Sequence, residues 1–186
     1  MLSETKNKVR NGVDVTALAE TIAAIRKEPA IADFTFKLAN EWQGGDVNWS
    51  VIEGFHGACA ENRHESGPFR LMNAEPPVLL GGGSAPNPVE FILHALAGCL
   101  TTTMVYHAAS RGIEIRSVKT HLEGDLDLHG FLGLDETVRK GYKVIRATMH
   151  VSANADPDKL ASLAKYSPVY DTVSRSVPVQ LDVIVD

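Results

Sequence analysis

The sequence predicts an α+β fold, because segments with a helical period of apolar residues and segments with a strand period follow one another in blocks. The predicted order is one helix, several strands, a long apolar helix, more strands, two short helices and a last strand. The chain has 186 residues, of which 44% are hydrophobic, and it contains no repeat. A chain of this length and composition can bury one main core of its own.

The first predicted element is a helix that begins after Asp14, a suitable N-cap, and ends near Pro29. Its apolar residues follow helical spacing: Val15, Leu18, Ala19, Ile22 and Ile25. Residues 1–30 are therefore predicted to form an N-terminal helical extension, and residues 31–186 the main domain.

The period then changes to that of β-strands. Predicted strands lie at residues 34–38, 48–54, 69–73 and 78–80. The Gly44-Gly45-Asp46 sequence predicts the turn of a hairpin between the first two. Residues 56–67 carry little pattern and are expected to form a solvated loop, and the segment GGGSAPNP at 81–88 is expected to be a flexible hinge.

The long helix has clear predicted ends. Asn87 can cap it, Pro88 suits its first position, Glu90 completes a capping box, and Gly112 can close it in a left-handed conformation. Residues 91–110 include no Asp, Glu, Lys or Arg, but two His, three Thr, a Ser and a Tyr favour a protein core over a bilayer. The sequence therefore predicts a helix buried in the centre of the fold, and no membrane association.

Strands return after this helix, around residues 118–122 and 145–151, with a loop between them that can hold a short helix. Asp156-Pro157 is predicted to start one helix and Ser167-Pro168 another. A closing strand is predicted at residues 179–185.

Composition excludes several kinds of function. The 18 Lys and Arg against 23 Asp and Glu give a net charge of −5 without any basic run, which argues against nucleic-acid binding. The glycine-rich segment lacks the patterns that cradle a phosphate, and no cofactor is predicted. Two cysteines and a polar N-terminus favour a reducing, cytoplasmic location without a disulfide framework.

Two groups of residues are candidates for chemistry. Cys99, in the middle of the long helix, is either a reactive thiol or a small packed side chain. His56, Cys59 and His64 are metal-ligand types, but their spacing matches no zinc pattern, so no metal is predicted.

The stretch NPVEFILHALAGCLTTTM, the preceding GGGSAPNP and the following GIEIRSVKTHLEGDLDL resemble the central helix and next strand of the OsmC/Ohr family of thiol peroxidases. The later YSPVYDTVSRSVPVQLDV resembles that family's closing helix and strand. The resemblance covers most of the chain from about residue 32 to residue 186. It implies an OsmC-like α+β fold, with antiparallel-rich sheets around a long central helix, assembled as an intertwined homodimer with active sites at the subunit boundary.

The resemblance also implies a site. Cys99 falls at the position of the peroxidatic cysteine, which in the family is ionised by a Glu and an Arg and is then resolved by a second cysteine. The resolving position holds Ser167 here, a residue that the sequence predicts to be an N-cap. The family Glu position holds Val89, with Glu90 one residue later, and Arg63 and Arg70 are substitutes for the family Arg.

Two functions remain open from the sequence. One is an enzyme, a peroxiredoxin-like organic hydroperoxide reductase in which a sulfenic acid on Cys99 is resolved by Cys59 or by an external thiol. The other is a catalytically inactive dimer that binds a small apolar ligand. Either function makes a second copy of the chain the expected partner.

Overall fold

The computed structural model describes residues 8–175, which fall into two compact units. Residues 8–9 and 14–92 form the first unit, and residues 10–13 and 93–175 form the second. Both contain helices and antiparallel strands, as the α+β prediction requires. The closing strand predicted at 179–185 lies outside the described residues.

The described chain begins with a short hairpin that the sequence analysis missed, β1 (Val9–Arg10) and β2 (Val13–Asp14). The Asn11-Gly12 turn between them has φ angles of 52° and 76°, and Asn-Gly is a strong sequence signal for such a hairpin. Helix α1 (Val15–Lys27) follows, and Asp14 Oδ1 accepts hydrogen bonds from the first-turn N–H groups of Thr16 and Ala17, each at 3.0 Å. The predicted helix and its cap are confirmed.

The first unit then builds two three-stranded antiparallel sheets, with strand orders β3–β6–β7 and β4–β5–β8. The strands are β3 (Thr35–Phe36), β4 (Ala39–Gly44), β5 (Val47–Ile52), β6 (Gly54–Gly57), β7 (Ala60–Arg63) and β8 (Phe69–Asn73). The predicted hairpin turn is confirmed, because Gly44 and Gly45 join β4 to β5 with φ angles of 102° and 56°. Glycine adopts such positive φ angles without steric cost.

The expectation of a loop is wrong for residues 56–63, where β6 and β7 form a tight hairpin, and is confirmed for residues 64–67, which form no strand or helix. Its two turn residues, Ala58 and Cys59, both have positive φ angles, 51° and 61°. The Asn62 side-chain amide donates to the carbonyl oxygens of Gly57 and Ala60 at 2.9 and 3.0 Å. Turns of this kind usually contain Asn and Gly, so the Ala58-Cys59 sequence does not predict a hairpin turn.

The strand predicted at 78–80 is also wrong, since Pro77–Leu79 form a single 3₁₀ turn. The proline at its first position is suited to a helical start and cannot donate to a sheet. The glycine-rich segment beyond it is held by Asp46, whose Oδ2 accepts from the N–H groups of Glu75 and Gly82 at 2.9 and 3.1 Å. These bonds lower the pKa of the Asp46 carboxyl.

Helix α2 (Pro88–Ser110) extends from the end of the first unit into the second. Gly112 follows it with a φ of 79°, and the Ile113 N–H donates to the Ala108 carbonyl at 3.0 Å. This is the predicted left-handed closure of the helix. The remaining elements of the second unit are β9 (Ile115–Asp125), α3 (Leu128–Phe131), β10 (Val144–Ala153), α4 (Pro157–Ala164) and α5 (Pro168–Arg175).

The core of the second unit is built on one stripe of α2. Leu96, Leu100, Met104 and Ala108 repeat every four residues and are buried, as expected for one face of a helix. They pack with buried residues of α4 and with the inward side chains of β9 and β10. The sheet residues in this contact are Ile115, Val118, Leu122, Ile145, Met149 and Val151.

The predicted burial of α2 in the centre of the fold is not reached within a single chain. By length and composition it could span a membrane, with a mean hydropathy of 1.4 over its most apolar 18-residue window, but only 17% of that window is buried in the described chain. Ile92 and Tyr106, away from the core stripe, are 42% and 47% exposed. A single chain therefore covers one stripe of a helix that is apolar all round.

Candidate functional site

Cys99 lies at the edge of the core stripe of α2, next to the buried Leu100. It is half-buried, and its Sγ lies 3.9 Å from the Thr103 hydroxyl, one turn further along the helix. About three turns of helix separate Cys99 from the N-cap Asn87, so the positive end of the helix dipole is too far away to ionise this thiol. A reactive Cys99 would need a cation from another part of the protein.

The side of α2 adjacent to Cys99 is open in the described chain. At Gly98 no heavy atom of the described residues, apart from its own helical turn, lies within 4 Å of the position that a Cβ would take. A glycine in the middle of a helix costs about 1 kcal/mol relative to alanine, and nothing in the described chain requires it here. The exposed residues on this side, at helical spacing, are Ile92, Ala95, Gly98, Thr102 and Tyr106.

The start of α2 has the predicted capping box. Asn87 Oδ1 accepts from the Val89 N–H at 2.9 Å, and the Glu90 carboxylate accepts from the Asn87 N–H at 2.8 Å. The Asn87 side-chain amide in turn donates to the Glu75 carboxylate. Glu90 therefore serves the helix start in this structure, as its position three residues after Asn87 predicts.

Ser167 is the N-cap of α5, as predicted. Its side chain is completely buried, at 0% exposure, and its Oγ accepts a hydrogen bond from the Tyr170 N–H at 3.0 Å. Its carbonyl accepts the first bond of the helix, from the Asp171 N–H, also at 3.0 Å. The hydroxyl thus satisfies a backbone donor that would otherwise lack a partner at the helix start.

We expect Ser167→Ala to lower the free energy of unfolding by about 1 kcal/mol, because alanine leaves the Tyr170 N–H without its acceptor. Urea denaturation followed by circular dichroism measures the change. Ser174→Ala is the matched control, because Ser174 is exposed in the last turn of α5, away from its N-terminus, and its hydroxyl donates to the Asp171 carbonyl of its own helix. Equal stability of Ser167→Ala and the wild type would contradict the capping role.

The two candidate arginines both lie in the first unit. Arg70 is opposite Val51 in the β5–β8 pair and lines an open cavity of about 380 Å³ together with Trp49. Arg63 ends β7 and lines a larger cavity of about 670 Å³. Cys59, at the exposed tip of the β6–β7 hairpin, belongs to the same unit.

The predicted site residues therefore divide between the two units. Cys99 and Ser167 belong to the second, whereas Glu90, Arg63, Arg70 and Cys59 belong to the first. The fold brings Cys99 and the Ser167 cap into one unit around a shared core.

The histidines near Cys59 have other partners. His56 Nδ1 lies 3.2 Å from Glu61 Oε1. Lys37 Nζ also donates to Glu61, at 2.9 Å, and this bond, more than the one to His56, lowers the pKa of Glu61. The His64 ring packs between Phe55 and Phe69, with centroid distances of 5.6 and 5.1 Å.

A partly exposed group of aromatic rings in the first unit was not predicted. Phe34, Phe36 and Phe55 lie with ring centroids 5.6 to 6.0 Å apart, and Phe36 is 77% exposed. The alternation at residues 34–38 indicated the first two rings. The sequence did not predict which face of a sheet Phe55 lies on, because the turn of the β6–β7 hairpin has no recognisable turn sequence and β6 was therefore not predicted as a strand.

Comparison with known proteins agrees with this architecture. The family model for OsmC-like proteins matches residues 81–182, more than half of the chain. The chain therefore belongs to the OsmC-like family. The matched region includes α2 with Cys99 and the Ser167 cap. A search of curated proteins gives no match.

Solved structures share the fold at low sequence identity. An OsmC-like protein from Mycoplasma pneumoniae matches with a TM-score of 0.58 and 12% identity, over 76% of this chain and 89% of that one. An organic hydroperoxide resistance protein OsmC from Legionella pneumophila matches with a TM-score of 0.52 and 19% identity, over 76% and 90%. An OsmC-like protein of unknown function from Vibrio cholerae gives 0.51 and 13%, over 74% and 92%.

Proposed function

We propose that this protein is a cytoplasmic, thiol-dependent reductase of organic hydroperoxides that acts through Cys99. The observation that carries the proposal is a half-buried thiol beside an open, largely apolar helix side, at the peroxidatic position of an OsmC-like chain. An open apolar side is suited to the hydrocarbon part of an organic hydroperoxide. The fold is shared with a Legionella pneumophila organic hydroperoxide resistance protein.

The proposed reaction has two parts. The Cys99 thiolate attacks the terminal oxygen of the hydroperoxide, so that an S–O bond forms, the O–O bond breaks, and the alkoxide leaves and takes a proton to become an alcohol. A second thiol then attacks the sulfenic acid, forming a disulfide and releasing water. A further thiol reduces that disulfide and returns Cys99 to its starting state.

An external low-molecular-weight thiol is the proposed resolving partner. Ser167 occupies the family's resolving position, and its hydroxyl already accepts the Tyr170 N–H. Cys59 is the alternative within the chain, but it lies in a two-residue turn, and the Asn62 amide donates hydrogen bonds to the carbonyls on both sides of that turn. Such a turn has less conformational freedom to bring Cys59 to Cys99 than the loop expected from the sequence. The external thiol is therefore favoured as the resolving partner.

A second copy of the chain is proposed to cover the open side of α2. Gly98 leaves room for a closely packed neighbour, and Ile92 and Tyr106 provide apolar surface beside it. The first unit also exposes large aromatic side chains, including Phe36 and Trp42. Exposed apolar surface of this extent usually marks an interface, and a homodimer is the proposed form of the enzyme.

Ionisation of Cys99 is assigned to an arginine of the assembled dimer. Among the described residues, no Lys or Arg is hydrogen-bonded to Cys99, and its hydrogen-bonding neighbour is Thr103. Arg70 and Arg63 are the proposed sources of the cation, Arg70 first because it lies beside Trp49 in a cavity of the first unit. Glu90 is the proposed acidic partner in the same assembly.

The second candidate function is an inactive dimer that binds a small apolar ligand. It is favoured by the absence, among the described residues, of a charged partner for Cys99, and by the cap role of Ser167. In this function Cys99 is only a packed side chain.

Mass spectrometry after treatment with cumene hydroperoxide distinguishes these functions. Wild type and Cys59→Ser are each exposed to peroxide, with dimedone present to trap a sulfenic acid. The proposal predicts a dimedone adduct on Cys99 in both proteins. A Cys59–Cys99 disulfide in the wild type would instead identify Cys59 as the resolving thiol, and an unmodified Cys99 after prolonged exposure would overturn the reductase and leave the binding protein.

A further inference from the structure

The second unit contains a basic cavity that the proposed peroxide chemistry does not use. It has a volume of about 430 Å³ and lies between the residue that follows α2 and one face of α4. Cavities of this size hold small-molecule ligands. The lining residues are Arg111, Lys159, Ser162, Leu163, Lys165 and Tyr166.

Helix α4 supplies most of the wall. Lys159, Ser162 and Leu163 are separated by three and four positions, which places them on a single face of the helix, and Lys165 and Tyr166 follow directly after its last turn. Leu163 is buried in the core, so the wall is anchored to the rigid part of the unit. The polar groups project above this apolar base, where they are open to solvent.

Arg111 is held in place on the opposite wall. Its Nη1 donates to the His107 carbonyl at 3.0 Å and contacts His107 Nδ1 at 2.9 Å and Ser110 Oγ at 3.3 Å. The His107 ring stacks on Tyr166 with centroids 4.6 Å apart, which joins the two walls. The Nε and Nη2 groups of Arg111 have no hydrogen-bond partner in residues 8–175, so three N–H donors remain for a ligand.

The positive charges of this cavity lack acidic partners. No carboxylate in the described part of the chain forms an ion pair with Arg111, Lys159 or Lys165, although the chain as a whole carries a net charge of −5. Arg111 and Lys165 can each stabilise the negative end of a helix dipole. Lys159 lies near the start of α4, where the dipole disfavours a cation, so helix stabilisation does not account for all three.

We propose that this cavity binds a phosphoryl group, either as free phosphate or as part of a small phosphorylated metabolite. Two ammonium groups and a guanidinium carry three positive charges, which are enough to neutralise a doubly ionised phosphate, and arginine pairs with phosphate through two parallel hydrogen bonds. The Tyr166 hydroxyl is a further donor at the rim, whereas the Ser162 hydroxyl donates to the Lys159 carbonyl at 2.7 Å. The site is separate from the thiol, because Ser110, the last residue of α2, lies about 16 Å along the helix axis from Cys99.

The test is a titration of the full chain with inorganic phosphate, pyrophosphate and glucose 6-phosphate at constant ionic strength, followed by amide chemical shifts in NMR spectra. We expect saturable shifts for at least one of the three at residues 107–111 and 159–166. The ligand that saturates at the lowest concentration identifies the source of the phosphoryl group. Shifts that are absent for all three, or that lie elsewhere on the chain, would overturn the proposal.

Charge-neutralising variants make the test specific. Lys159→Gln with Lys165→Gln removes two exposed lysines of the cavity and is expected to weaken binding at least about 10-fold. Lys27→Gln with Lys119→Gln removes the same charge from exposed positions outside the cavity, and we expect it to change the dissociation constant less than about 2-fold. Equal weakening of binding in both double variants would show that anion binding depends only on the net charge of the chain, and would also overturn the proposed site.

Discussion

Cys99→Ser is expected to reduce the turnover of cumene hydroperoxide at least about 100-fold, because a serine alcohol neither ionises near neutral pH nor accepts an oxygen atom from a peroxide. The measurement is the rate of peroxide loss with dithiothreitol as the external thiol. The fold of the variant is expected to be unchanged, because serine is close in size to cysteine and Cys99 lies at the edge of the core. Circular dichroism and thermal unfolding check this point.

Cys59→Ser is the matched control for the same assay. Cys59 is exposed at a hairpin tip in the first unit, and with an external thiol supplied in excess its loss is expected to change the rate less than about 2-fold. A large loss of peroxide turnover in Cys59→Ser, together with an inactive Cys99→Ser, would identify Cys59 as the resolving thiol. Full activity of Cys99→Ser would remove the proposed reductase.

Gly98→Leu is expected to raise the dissociation constant of the dimer at least about 30-fold. Overpacking at a well-fitted contact costs about 1 to 3 kcal/mol, and in a twofold interface each substitution acts twice. If the chain is instead a monomer, open space surrounds Gly98, and leucine is expected to raise the free energy of unfolding by about 1 kcal/mol because it favours the helix more than glycine does. Light scattering at several concentrations and urea denaturation measure the two effects.

Gly98→Ala provides the graded comparison, because a single methyl group is expected to weaken the dimer less than the leucine side chain does. The wild type is expected at twice the chain mass of 20.1 kDa. A wild type that stays at the mass of one chain at micromolar concentration would contradict the homodimer. If the wild type is a dimer and both variants keep its mass while gaining stability, no neighbour packs on Gly98, and the proposed place of Gly98 in the interface is wrong.

Helix ends, which are decided within a few residues of sequence, were predicted well. The capping box of Asn87 and Glu90, the closure of α2 at Gly112 and the Ser167 cap depend on hydrogen bonds between near neighbours in the chain. Such bonds depend little on the rest of the fold. The pairing of β9 with β10 was not predicted, but the two strands themselves were, because both alternate apolar and polar residues over a long stretch.

Two segments were predicted wrongly. The Ala58-Cys59 turn has no favourable sequence for its positive φ angles, and it forms where β6 and β7 pair and Asn62 bonds to the carbonyls on both sides. Residues 78–80 have the composition of a strand, yet Pro77 starts a 3₁₀ turn instead. At the hairpin, strand pairing outweighs an unfavourable turn sequence, whereas at Pro77 the local preference of proline for a helical start outweighs the strand-like composition of the residues that follow.

The sequence by itself determined the class of fold, the ends of the long helix and the position of its one cysteine, because periodicity and capping act through neighbouring residues. Only the tertiary structure decided which stripe of α2 enters the core and which side stays open beside Cys99. A helix that is apolar on all sides carries no directional signal in its sequence. Its buried stripe is set by the strands and helices that pack against Leu96, Leu100 and Met104, and these come from parts of the chain far away in sequence.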